Sequence, residues 1–121
     1  MSVLAEWAGG SGAAESALGR LHDAHALVLD EDGAIRMALP FSAAESDHRV
    51  HSGDQTWWAN CAWDALAIPA ALGRDAQIEA TWLDTRKPVD LAIVGGEPSA
   101  PGGFIHFAVP AHRWWDDIVE T

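Results

Sequence analysis

Residues 60–73 read NCAWDALAIPAALG, a run rich in alanine and leucine that is typical of a helix. Asn60 is a good N-cap residue, because its side chain can accept a hydrogen bond from the free N–H groups of a first turn. Gly73 is a suitable helix terminator, since glycine readily adopts the left-handed conformation. Pro69 is expected to kink the helix, because it lacks an N–H group and its ring crowds the preceding turn. We therefore predict one helix over residues 60–73.

On both sides of this helix, apolar and polar residues alternate as they do in β-strands. A hairpin is predicted for residues 48–58, around the turn Ser52-Gly53-Asp54. Three more strands are predicted at 76–83, 89–94 and 103–109, followed by a last helix at about 111–119. Together these elements predict an α+β fold, a small mixed β-sheet packed by helices.

The N-terminal third predicts a short helix and a hairpin. The opening, residues 1–12, is rich in Gly, Ala and Ser and is expected to be flexible. An amphipathic helix is expected from 13 to 26, and the apolar runs 26–29 and 34–39 flank an acidic turn. This arrangement is similar to the end of a winged-helix unit. We therefore predict a single domain over residues 13–121, made of a winged-helix-like remnant (13–42) and a catalytic-type core (43–121).

Composition narrows the classes of function. The chain has 121 residues and a net charge of −11, which argues against nucleic acid or an anionic membrane as a partner. No apolar run approaches the ~18 residues that span a bilayer, and residues 1–12 lack the features of a signal peptide. A single cysteine excludes an internal disulfide and fits the reducing cytoplasm, where we expect the protein.

Cys61 and Asp64 are the candidate catalytic residues. A cysteine in the first turn of a helix lies near the positive end of the helix dipole, so its thiol pKa is expected below about 8.5. Asp64 follows three residues later on the same face and can reach the same ligand. Sulfur would hold a soft metal while the carboxyl group gives a proton. Without function, Cys61 would be a small buried residue and Asp64 a carboxylate that stabilises the helix start.

Seven tryptophans and the absence of tyrosine suggest an apolar ligand pocket. Trp57, Trp58 and Trp63 are the candidate substrate-binding indoles, although indoles more often build a core. His106 is a further candidate, because the predicted strand 103–109 could direct its ring into the same pocket. No pair of histidines has the spacing of a zinc site.

The segment from His48 to Gly73 resembles the catalytic segment of organomercurial (alkylmercury) lyases. That family carries a similar Cys-Ala-aromatic/Leu-Asp-x-Leu helix with a Pro-Ala-x-x-Gly exit, as in residues 61–73 here. Pro40-Phe41-Ser42 and the strand and helix of residues 104–119 are also similar to the family. The resemblance covers roughly residues 18–121.

This resemblance implies protonolysis of a carbon–mercury bond. Two cysteines of the family capture the organomercurial, and an aspartate relays a proton to the departing carbon. Cys61 matches the first cysteine, as the ligand of mercury, and Asp64 matches the aspartate. The family's second cysteine follows just after the residues that match Ile118-Val119, where this sequence has Glu120-Thr121. We therefore expect a lyase-like enzyme with less than full organomercurial lyase activity.

Three functions remain open at this stage. The first is cleavage of a carbon–metal or carbon–heteroatom bond by the Cys61–Asp64 pair. The second is acid–base catalysis on a small molecule (an isomerase, cyclase or lyase of specialised metabolism), and the third is binding of a soft metal or apolar ligand without turnover. All three take a small molecule as the partner and require no cofactor, and the sequence leaves oligomerisation open.

Overall fold

The chain forms one antiparallel β-sheet with a helix against one face, in a computed structural model that describes residues 2–99 and 102–120. The α-helices are α1 (Ser2–Ala8), α2 (Ser11–Asp23) and α3 (Ala62–Leu72). The strands are β1 (Val28–Leu29), β2 (Ile35–Ala38), β3 (Phe41–Ser42), β4 (Arg49–Ser52), β5 (Gln55–Ala59), β6 (Ala76–Thr81), β7 (Pro88–Val94) and β8 (Glu97–Pro98). A 3₁₀ helix covers Ala111–Asp116.

The strands lie in the order β1-β2-β3-β5-β4-β6-β7-β8. The predicted α+β fold is confirmed, but every strand pair among the described residues is antiparallel, so the sheet is not mixed. Short turns join most consecutive strands, and short turns can join only antiparallel strands. Two connections are exceptions: residues 43–48 join β3 to β4, which are separated by β5, and the β5–α3–β6 crossover joins two strands that are separated by β4. Helix α3 therefore crosses over β4, the centre of the sheet.

Alternation along the strands directs one set of side chains toward α3. Val50 of β4 lies between Trp57 of β5 and Ile78 of β6, and all three pack beneath the helix. Ala65 and Ile68 of α3 are buried against them. This cluster is the main core, and burial of a side chain such as Ile68 contributes about 1.5–3 kcal/mol. The core thus fixes the position of α3 on the sheet.

Helix α3 ends as predicted but begins one residue later than expected. Gly73 adopts the left-handed conformation (φ 61°) that terminates the helix, and Pro69 is buried within it. The residue in the N-cap position is Cys61, with an extended backbone (φ −145°, ψ 177°), and not Asn60. Cys61 therefore lies at the joint between β5 and α3.

The N-terminal segment, predicted to be flexible over residues 1–12, contains helical structure from residue 2 onward. Residues 2–8 form α1, and α2 begins at Ser11, two residues before the predicted start. Gly9 and Gly10 supply the positive φ angles that let the chain turn between the two helices. The following hairpin exists, but it is shorter than predicted and continues the main sheet through β3. Residues 13–42 are therefore joined to the core by strand pairing.

The strand predicted at 103–109 is absent from the described part of the chain. Residues 103–107 have no regular secondary structure, and Phe104 is fully exposed. The sheet ends at β8, and the chain leaves it after Ser99, whose amide donates to the carbonyl of Ala92. Beyond this irregular segment, the predicted helix 111–119 is the shorter 3₁₀ helix. No helix within residues 2–99 and 102–120 is long and apolar enough to cross a bilayer.

Candidate active site

Cys61 and Asp64 meet at the N-terminal end of α3. The Cys61 carbonyl accepts the first intrahelical hydrogen bond from the Ala65 amide (3.0 Å), so the first turn holds the cysteine in place. The Cys61 thiol donates to Oδ2 of Asp64 at 3.5 Å, and both side chains are half-buried. The pairing predicted from their spacing is present.

The Cys61 thiol is harder to ionise than the sequence predicted. Burial raises its pKa, because a thiolate loses favourable interactions with water. The backbone N–H groups of Asp64 and Trp63 act in the opposite direction, as expected at a helix start, while the charge of the Asp64 carboxylate adds to the increase. Burial outweighs the helix dipole here, so the predicted lowering is wrong.

The pKa of Asp64 is also raised, first by burial and despite the hydrogen bond from Cys61, which lowers it. A carboxyl group with a raised pKa holds its proton more readily near neutral pH and is better suited to donate it. The pair therefore combines a sulfur ligand with a proton carrier within one turn of helix.

The two neighbouring tryptophans of β5 point to opposite faces of the sheet. Trp57 faces α3, packs against the core and makes an edge contact with Phe41. Trp58 lies on the other face, beneath the guanidinium of Arg49 (5.3 Å from the ring centroid). Because successive strand residues alternate, both indoles cannot line one pocket. The structure therefore brings Trp57 to the helix side of the sheet and Trp58 to the opposite side.

Trp63 forms one wall of an aromatic cleft. Its ring is 53% exposed and makes an edge contact with Phe107, which in turn lies 5.0 Å from Trp114 between ring centroids. The cleft has a volume of about 550 Å³ and is lined by Trp63, residues 107–111 and Trp114. Sequence reasoning named Trp63 but missed Phe107, because the 103–109 segment was assigned to a strand. The Trp114-Trp115 pair was the signal that could have found the second wall.

His106 is not placed with the other candidates. It is exposed in the irregular segment and is not part of the cleft lining. Among the described residues, His, Cys, Asp and Glu side chains form no group of three or more that could hold a resident metal ion.

The C-terminal segment, residues 107–120, lies against the start of α3. The side-chain Nδ2 of Asn60 donates to the carbonyl of Ile118 at 3.3 Å, across 58 positions of sequence. Further along, Trp115 stacks on His25 with ring centroids 3.9 Å apart and planes within 6°. Contacts to Asn60 and Trp63 thus bring this segment to the first turn of α3, an arrangement that the sequence did not reveal.

Comparison with known proteins agrees with the geometry. The family model described as alkylmercury lyase (MerB) matches residues 41–121. A search of curated proteins gave no match. Among similar solved structures is the crystal structure of the mercury-bound form of MerB2, with 25% identity and a TM-score of 0.60 over 72% of this chain and 42% of that chain. The chain thus spans less than half the length of that relative. The match over two thirds of its residues shows that the chain belongs to the alkylmercury lyase family.

Proposed function

We propose that this chain cleaves the carbon–mercury bond of organomercurials, with Cys61 binding mercury and Asp64 protonating the carbon. The observation that carries the proposal is the 3.5 Å contact between the Cys61 thiol and Oδ2 of Asp64 in a half-buried position. The family match over residues 41–121 and the likeness to a mercury-bound relative support it.

The first step is capture of the substrate. Mercury is soft and binds a thiolate, so the Cys61 thiol must lose its proton as the sulfur–mercury bond forms. Oδ2 of Asp64 is the hydrogen-bond acceptor of that proton. The step converts R–Hg⁺, a thiol and a carboxylate into a sulfur–mercury–R adduct and a carboxylic acid. The raised pKa of Asp64 favours this transfer.

The second step is protonolysis. The Asp64 carboxylic acid donates its proton to the carbon that is bound to mercury, and the electron pair of the carbon–mercury bond forms the new carbon–hydrogen bond. The hydrocarbon leaves, Asp64 is again a carboxylate, and Hg²⁺ remains on the Cys61 sulfur. The sequence contains one cysteine. A small thiol in solution can supply a second sulfur ligand for mercury and can remove the ion.

Release of benzene from phenylmercury acetate in the presence of a small thiol tests the proposal. We expect slow turnover by the parent chain, loss of mercury binding in Cys61→Ser, and turnover about 10² lower in Asp64→Asn with mercury binding retained. Asp54→Asn is the matched control, because Asp54 is an exposed carboxylate on the β4–β5 turn.

Two results would contradict the proposal. Benzene release at the parental rate by a folded Asp64→Asn variant would remove Asp64 from the reaction. Tight mercury binding by the parent chain without any benzene release would instead identify a soft-metal-binding protein.

A further inference from the structure

The aromatic cleft beside α3 is a cavity of about 550 Å³, within the range of about 300–1,000 Å³ for small-molecule sites. Its walls are mostly apolar: Trp63 on one side, and Val109, Pro110 and Trp114 on the other. Trp63 is 53% exposed and Phe107 is 38% exposed, so neither residue is buried in a packed core. Partly exposed aromatic rings around a concave surface are typical of a site for an apolar ligand.

The cleft and the candidate catalytic pair share the first turn of α3, which carries Trp63 and Asp64 and follows Cys61. Trp63 directly precedes Asp64 in the first turn of α3, so their Cα atoms are about 3.8 Å apart. The segment that supplies the opposite wall continues from Trp114 to Ile118, whose carbonyl accepts a hydrogen bond from Asn60. Trp63, which forms one wall of the cleft, and Asn60, which precedes Cys61, therefore contact the same C-terminal segment.

The shape of the contacts favours a ring as the ligand. Trp63 and Phe107 meet edge to face (66° between planes), and Phe107 and Trp114 are tilted by 35°. Aromatic rings prefer edge-to-face or offset neighbours at 4.5–7 Å, so a ligand ring can extend this series. A methyl group would contact far less of the three rings.

From these observations we propose that the cleft binds the organic group of the substrate and that it prefers an aryl group to a methyl group. The proposal rests on the proposed function, since it assigns the organic part of the same substrate. In this arrangement Cys61 holds mercury and Trp63, two residues later, contacts the organic group. Trp63 is thus a specificity-determining residue.

Fluorobenzene contains the ring but no mercury, so it tests the cleft separately from the chemistry. Binding to the full chain is measured by fluorine NMR. We expect binding by the parent and equally by Cys61→Ser, and binding weaker by about tenfold in Trp63→Ala, since small changes in an apolar pocket already alter selectivity by about 10-fold or more. Trp7→Ala is the matched control, because Trp7 is another exposed indole and lies outside the cleft lining.

A second variant protects the test against misfolding of Trp63→Ala. Ala111→Leu adds apolar bulk from the opposite wall, and we expect it to reduce fluorobenzene binding while far-ultraviolet circular dichroism stays unchanged. The rate of mercurial capture should also be at least about tenfold higher for phenylmercury than for methylmercury in the parent, and Trp63→Ala should remove most of this preference.

The outcomes separate the two proposals. Absence of fluorobenzene binding by the parent, or equal binding by the parent and both folded cleft variants, would overturn the aromatic site. Fluorobenzene binding that persists while the parent neither binds mercury through Cys61 nor releases benzene would overturn the proposed function and leave the aromatic site standing.

Discussion

The Cys61 thiol and the Asp64 carboxyl group share one hydrogen bond of 3.5 Å, and the pKa of each is raised chiefly by burial. Both groups are therefore biased toward their protonated forms. In the proposed reaction, the neutral thiol gives up its proton when mercury binds, and the acceptor already bonded to the thiol is the group proposed to protonate the carbon. Suppressed ionisation thus keeps one proton available within the pair.

The pH dependence of Cys61 alkylation should reflect this pairing. Iodoacetamide reacts with the thiolate, so the rate should rise with pH to a midpoint above the usual value of about 8.5. Asp64→Asn should lower the midpoint, because it removes a negative charge next to the sulfur, and Asp54→Asn should not. A midpoint below the usual value would show that the helix dipole outweighs burial after all.

Asp64→Asn should make the protein more stable at neutral pH. Because the pKa of Asp64 is raised in the folded state, the folded protein binds more protons than the unfolded chain between the two pKa values, and stability falls as pH rises through that interval. The gain from the substitution should therefore be present at pH 7 and vanish below about pH 4. Urea unfolding at both pH values measures it. A loss of stability at pH 7 would mean that the carboxylate mainly stabilises the helix start.

Asn60→Ala should release the C-terminal segment from the start of α3. The substitution removes the hydrogen bond to the carbonyl of Ile118, at a cost of about 0.5–1.5 kcal/mol in the free energy of unfolding. Amide hydrogen exchange should accelerate in residues 111–120 and stay unchanged in β6 and β7. If exchange in the C-terminal segment did not change, other contacts would be holding it, with the His25–Trp115 stack as the next target.

Gly103→Ala should disturb the attachment of the irregular segment to Trp82. A Cβ atom at Gly103 would lie 2.8 Å from the Trp82 ring, and the backbone there has a φ of 139°. We expect a loss of about 1–3 kcal/mol in stability and a change in tryptophan fluorescence. Gly102→Ala is the matched control, because it shares a positive φ (91°) but meets no atom within 4 Å. Equal losses in the two variants would show that backbone strain alone is responsible.

Local sequence patterns predicted the helices and strands whose apolar spacing and end residues lie within the element itself. The helix at 60–73 and the strands at 76–83 and 89–94 follow from apolar spacing and from Gly73, and all three are present within a few residues. The segment 103–109 shows why such patterns fail elsewhere. It alternates like a strand, but a strand also needs a partner with free backbone groups, and the chain has left the sheet by then.

The contact between Cys61 and Asp64 was predictable from the sequence, but the electrostatics of the pair were not. The Cys-x-x-Asp spacing predicts contact, because residues three apart in a helix are neighbours. The depth of burial that raises the thiol pKa depends on packing by distant parts of the chain and cannot be read from residues 60–64. The contact between Phe107 and Trp63 likewise spans 44 positions of sequence, so the cleft could not be read from residues 60–64 either.

Because Trp57 and Trp58 point to opposite faces of the sheet, the number of residues in β5 decides which face each side chain of the strand occupies and where Cys61 lies. One residue inserted into this strand would exchange the faces of all later side chains and would also displace Cys61, which follows β5 after a single residue. An insertion in the β4–β5 turn would leave each side chain of β5 on its present face of the sheet. Insertional scanning should therefore find a sharp boundary between tolerance at the turn around Gly53 and intolerance from Trp57 onward.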